Sequence, residues 1–223
     1  MNLIKTGINE FLWECLNTIQ ADTLFDDYYL VGGTALSLQI GHRISDDIDL
    51  FTNREIKRDS IFNFIKNNIR QDVKIINNEG SIFQLFIESE KLKLDFVQLP
   101  YKLLDPLIIS DNIRMIDKND LSAMKISAAG TRGYEAKDFV DIYYLLKYMT
   151  IDRMFENFKK KYETNDILHY VRSVIYFDDV KTESWKALKP IKEEINVNVI
   201  KNTLIQEVSN YERKILSSNS ISL

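Results

Sequence analysis

Asp47 and Asp49 flank Ile48 in the segment YYLVGGTALSLQIGHRISDDIDLFT, residues 28–52. If this end of the segment is a strand, alternation sends both carboxylates to one face and Ile48 and Leu50 to the other. Two acids side by side repel each other, and a chain tolerates that most readily with a divalent cation between them. The same alternation turns Asp46 away from Asp47 and leaves it outside the site. Upstream, Gly32-Gly33 ends an aromatic and branched run and opens into a short helix near Thr34. Glycines let bare backbone approach a bulky ligand, and the first amides of the helix point at the same place. Strand, glycine turn, helix and acidic strand, in that order, describe a site for a metal-bound nucleoside triphosphate. Gly32, Gly33 and Thr34 are its expected nucleotide contacts, and Asp47 and Asp49 its expected metal ligands. Arg43 is a further candidate for a phosphate or the base. The alternative for His42-Arg43 is a polar loop or helix end that orients Ser45 and the strand.

A third acid follows in LKLDFVQL, residues 92–99. Leu92, Leu94 and Phe96 share one face, and Lys93 and Asp95 the other. Asp95 is therefore expected beside Asp47 and Asp49 in one sheet, either as a third metal ligand or as a solvated strand residue. Three converging acids suit two-metal phosphoryl transfer, with Asp95 lowering the cost of deprotonating an attacking hydroxyl.

The block DLSAMKISAAGTRGYEAKDFVDIYYLL, residues 120–146, places Ser122, Lys125, Ala129 and Arg132 on one helical face. Small residues there allow close approach of a ligand or of another helix. Asp120 is a plausible cap for this helix. Arg132-Gly133 turns the chain into a second helix carrying Asp138 and Asp141. Lys125 and Arg132 are expected to hold triphosphate oxygens. The alternative is an ion-pair network of Lys125 and Arg132 with Asp138 and Asp141 that joins the two helices. Lys159-Lys160-Lys161, with Tyr162, Tyr170 and Arg172, are candidates to touch RNA. The alternative for the lysines is a solvated helix end that complements the dipole.

These residues need elements to position them. Apolar spacing predicts a helix over 3–20, strands over 28–31 and 47–52, and helices over 34–41 and 60–69. Strands are expected over 73–76, 81–88 and 91–99, with turns at 77–80 and 88–90. From Asp120 to about Tyr211 every segment has helical periodicity. The fold class expected is α/β, a mixed sheet flanked by helices, with a helical C-terminal part. The domains are expected as 1–105 and 106–223, with Pro100 and Pro106 near the transition.

The 223 residues suffice for a sizeable core, and 45% hydrophobic with 28% charged residues is ordinary for a globular protein. Net charge is −4, which excludes a uniformly basic nucleic-acid coat but leaves room for a basic groove among 29 Lys and Arg. No apolar run is long enough to cross a bilayer, and no signal peptide is read. The single Cys15 fits a reducing cytosol, so the expected location is cytoplasmic.

The pattern GGTALSLQIGHRISDDIDLF, then LKLDF, then K-x6-R-x4-KD-x2-D resembles the AbiEii/AbiGii-type nucleotidyltransferase toxins, within the polymerase-beta-type nucleotidyltransferase superfamily. The resemblance covers residues 28–147. It implies a nucleotidyltransferase fold, one or two magnesium ions, and transfer of a nucleotide from an NTP to an acceptor hydroxyl. It implies a toxin of a toxin–antitoxin or phage-defence system, an RNA acceptor such as tRNA, and an antitoxin partner. Carried over by residue, Gly32 and Gly33 hold the triphosphate and Asp47, Asp49 and Asp95 are the acids. Lys125 and Arg132 contact nucleotide, and Asp138 belongs to the late Lys-Asp motif with a catalytic or positioning role, as Asp141 does less firmly. Two other readings stay open: nucleotidylation of a small molecule such as an aminoglycoside, and a non-catalytic nucleotide- or partner-binding module.

Overall fold

The computed structural model describes residues 2–191 and 195–220, side chains excepted at 218–220. The chain forms two compact units, Met1–Asp117 and Lys118–Leu223.

The first unit is built on a mixed seven-stranded sheet. Its strands are β1 (Tyr29–Val31), β2 (Asp47–Thr52), β3 (Val73–Asn77), β4 (Ile82–Ile87), β5 (Leu92–Gln98), β6 (Ile108–Ser110) and β7 (Ile113–Met115), in the order β3-β4-β5-β2-β1-β7-β6. β2 runs parallel to β5 and antiparallel to β1. Ile48, Leu50, Leu94 and Phe96 are buried under the sheet with Phe25 and Phe83, whose rings pack tilted against Phe96. Burying this apolar face fixes the register, because a one-residue slip would expose all of it.

Helices α1 (Glu10–Ala21), α2 (Gly32–Ile40) and α3 (Arg58–Asn68) complete the unit. The helix expected over 3–20 starts only at Glu10. Asn9 takes an extended conformation and its side chain accepts from Leu12 N–H at 2.7 Å, a cap that separates the helix from a 3-10 turn at Lys5–Gly7. Every residue of α2 from Thr34 to Ile40 is buried, and the helix ends at Gly41 in the left-handed conformation. The hairpin of β6 and β7 is absent from the sequence reading. Asp111 and Asn112 both have positive φ there, as a two-residue type I′ loop requires. The pair carries the sheet past residue 105, with Met115 on β7 parallel to Leu30 on β1.

The second unit is helical: α4 (Lys118–Arg132), α5 (Ala136–Leu145), α6 (Ile151–Tyr162), α7 (Leu168–Ser173), α8 (Thr182–Lys186) and α9 (Val197–Ser220). Among the described residues no helix is long and apolar enough to cross a membrane.

Candidate active site

Strand β2 alternates as its sequence demands: Ile48 and Leu50 are buried, and Asp47 and Asp49 are half-buried on the opposite face. Asp46 is exposed just before the strand. The parallel register sets Asp47 beside Lys93 and Asp49 beside Asp95. The three predicted acids therefore occupy neighbouring positions on one face of two adjacent strands. Asp95 is only 8% exposed. Its Oδ2 lies 2.9 Å from Lys93 Nζ, and its buried Oδ1 has no hydrogen-bond partner.

Lys93 is a residue of this face that the sequence reading did not single out. Alternation had already put it on the face of Asp95. Burial pulls its pKa down, but the hydrogen bond and charge of Asp95, followed by Asp47 and Asp49, outweigh that and raise it above the ordinary lysine value. The ammonium is thus held charged against the acid face.

Among the described residues, no three His, Cys, Asp or Glu side chains stand close enough to share one ion. The donor set nonetheless fits a hard divalent cation. It consists of carboxylates alone, two of them in lateral register, and one buried carboxylate oxygen lacks a partner.

The glycine turn is closely fitted to this face. Gly32 has φ +71°, and Val31 before it pairs with Asp49. A Cβ at Gly32 would collide with Asp49 Oδ2. A Cβ at Gly33 would stand 2.5 Å from Arg43 Nη2 and 3.0 Å from Ser45 Oγ. Arg43 is buried, donates to Ile44 O at 3.0 Å, and lies against the first turn of α2. Thr34 is fully buried. Its hydroxyl donates to the Asp47 carbonyl and shares a 2.9 Å hydrogen bond with Ser45 Oγ. The side chain of Thr34, one of the expected nucleotide contacts, braces α2 against the start of β2.

A family model described as "Nucleotidyl transferase AbiEii toxin, Type IV TA system" matches residues 14–203. The chain belongs to the AbiEii nucleotidyltransferase family. An uncharacterized Aquifex aeolicus (strain VF5) protein, aq_aa25, is 31% identical over 190 residues, covering 82% of this chain and 89% of its own. A Helicobacter pylori crystal structure assigned as a nucleotidyltransferase shares the fold with TM-score 0.59 and 15% identity, over 93% of this chain and 94% of that one. JHP933, also from Helicobacter pylori, aligns with TM-score 0.51 and 16% identity over 96% of each chain. These two likenesses concern the fold; the family model carries the assignment as an AbiEii nucleotidyltransferase.

The second informative block of this AbiEii chain forms a cluster inside the helical unit. Lys125 is 4% exposed. Its Nζ lies 2.9 Å from Asp138 Oδ1 and 2.7 Å from Asp141 Oδ2. Arg132 donates from Nε to Asp138 Oδ2 at 3.0 Å and from Nη2 to Asp138 Oδ1 at 3.2 Å. Burial pushes the Asp138 carboxyl up, but Lys125 and Arg132 outweigh it and hold the group below the usual carboxylate range. Asp138 and Asp141 are buried, while the Arg132 side chain is 44% exposed. The arrangement is the ion-pair network weighed from sequence, joining α4 to α5.

Two other expectations in this unit need correction. Asp120 is not the helix cap. It lies in the first turn of α4, fully buried, and pairs with buried Lys161 on α6. Lys161 is therefore no RNA contact. Lys159 pairs with Glu156, and Tyr170 packs on Phe158 with ring centroids 4.2 Å apart, beside Gly130. The small-residue face of α4 serves helix packing. A lysine run by itself cannot reveal that one member points inward to a buried acid.

Proposed function

We propose that this AbiEii nucleotidyltransferase is a magnesium-dependent toxin that transfers a nucleotide from an NTP to a hydroxyl of RNA, tRNA being the leading acceptor. It would act in the cytosol, opposed by an antitoxin protein. The observation that carries the reading is the lateral register of Asp49 with Asp95, one step from Asp47, beside the Gly32 turn. Magnesium, held by Asp47 and Asp49 with Asp95 as third acid, would neutralise triphosphate charge and polarise the acceptor hydroxyl when bound. Gly32 and Gly33 let the triphosphate approach the first amides of α2, with Arg43 placing positive charge behind that turn. Asp95 lowers the cost of removing the hydroxyl proton. The acceptor oxygen then bonds to the α-phosphorus as the bond to pyrophosphate breaks. Within the helical unit we assign half-exposed Arg132 to a phosphate oxygen. Lys125 and Asp138 act by holding it.

The test is transfer of label from each of four alpha-labelled NTPs, with magnesium and total cellular RNA, by the wild type and Asp47→Ala. Label in a tRNA-sized band, lost in the variant, supports the reading and names the nucleotide. Nucleotide binding without label in any RNA overturns the RNA acceptor. Label appearing only on an aminoglycoside would replace it with the small-molecule reaction.

A further inference from the structure

We propose that Lys93 is a built-in counter-cation of the carboxylate face, whose ammonium must leave Asp95 before a divalent ion can bind there. The inference rests on the metal-dependent reading above and adds a residue which that reading does not use.

The argument begins with the strand register. Lys93 lies beside Asp47 and Asp49 beside Asp95, so one lysine and three acids share a face of β2 and β5. On the other side, β4 contributes Phe86 opposite Lys93 and Gln84 opposite Asp95, neither of them charged. Like charges on neighbouring strand positions repel, so in metal-free protein this face needs a cation. The Lys93 ammonium takes that place, 2.9 Å from Asp95 Oδ2. It does so incompletely, because Asp95 Oδ1 is buried without a partner. A divalent ion can bind both oxygens of one carboxylate and carries twice the charge. The ammonium and the ion repel at such distances, so they compete for Asp95. The lysine stem is long and flexible, and the side chain is 34% exposed, so the ammonium can swing into solvent. Lys93 is thus a positioning residue: it holds the acids in place without metal and sets the threshold at which metal enters.

The experiment is calorimetric titration of the full chain with Mn²⁺ alone, nucleotide absent, on the wild type, Lys93→Met, Lys93→Arg and Asp47→Asn. Lys93→Met should bind Mn²⁺ roughly tenfold more tightly than the wild type, from removal of a partly exposed competing charge. Lys93→Arg, which keeps the charge, should not. Metal-free Lys93→Met should also melt earlier than the wild type and recover on adding Mn²⁺. Lys93→Gln repeats the comparison should the methionine variant fail to fold. Binding by the wild type that Asp47→Asn abolishes, with equal or weaker binding by the neutral Lys93 variants, overturns the role of Lys93 and leaves the proposed function standing. Failure of the wild type and the neutral variants alike to bind Mn²⁺ at millimolar concentration overturns both.

Discussion

On the sheet, Asp47, Asp49 and Asp95 share a face with the ammonium of Lys93. In the helical unit, Asp138 and Asp141 meet Lys125 and Arg132. The first group sets three acids beside Lys93 and lies partly open, with Asp47 and Asp49 half-buried. The second balances two acids with two bases, and three of its four side chains are almost wholly buried. Burying an unbalanced charge costs several kcal/mol, so a cluster that is closed must be neutral. An acid-rich cluster at a half-open face stays accessible to cations in solution. Both clusters are made of the same residue types; their burial separates a candidate metal face from an internal clamp.

The comparison breaks first at Lys125. Lys125→Met removes the ammonium that pairs with both buried Asp138 and Asp141, and should destabilise the protein by about 3–5 kcal/mol. On the sheet, Asp47→Asn neutralises one half-buried acid on a partly open face and should cost far less stability while transfer is lost. Urea denaturation of both variants measures the difference. A cost below about 1 kcal/mol at Lys125 would remove the distinction.

Gly32 sharpens the sheet half of the comparison. Gly32→Ala imposes a left-handed conformation on alanine and drives its Cβ into the Asp49 carboxylate, so it should cost about 1–3 kcal/mol and weaken Mn²⁺ binding together. Gly80 has φ +55° with nothing within 4 Å of a Cβ. Gly80→Ala should therefore cost about 1 kcal/mol and leave Mn²⁺ binding alone. Equal effects on binding would show that the turn does not position Asp49.

The smallest effect is a pH dependence. Lys125 and Arg132 hold the folded Asp138 carboxyl below its ordinary value, against burial and the charge of Asp141. A lowered folded pKa contributes stability above the ordinary carboxylate pKa, and that contribution is lost as pH falls through the lowered value. Melting temperature should therefore fall on acidification, and Asp138→Asn should flatten that acid limb. An unchanged acid limb in the variant would assign it to other carboxylates.

Much of the first unit was legible because strand alternation is a local property. Asp47, Ile48, Asp49 and Leu50 can be sorted to two faces from their order alone, and β2 spans the residues expected. The start of α1 was misjudged because apolar spacing continues through Ile4 and Ile8, while the cap at Asn9 sets the boundary. The β6–β7 hairpin was missed because its strands are short, although Asp111-Asn112 is a turn signal in plain view. Lys93 was placed on the correct face but given no role, since nothing local says which strand will lie beside it.

The order of residues determined the α/β fold class, the family, and the set of acids on alternating strands. It could do so because helix and strand periods, glycine turns and charged faces are written in neighbouring residues. Only the tertiary structure decided which strands lie side by side, and so that Asp49 meets Asp95 and Lys93 meets Asp47. It also decided that Lys161 pairs with Asp120 and that Lys125 is enclosed by Asp138 and Asp141. Those pairings depend on burial and long-range packing, where removal from water forces each charge to find a partner.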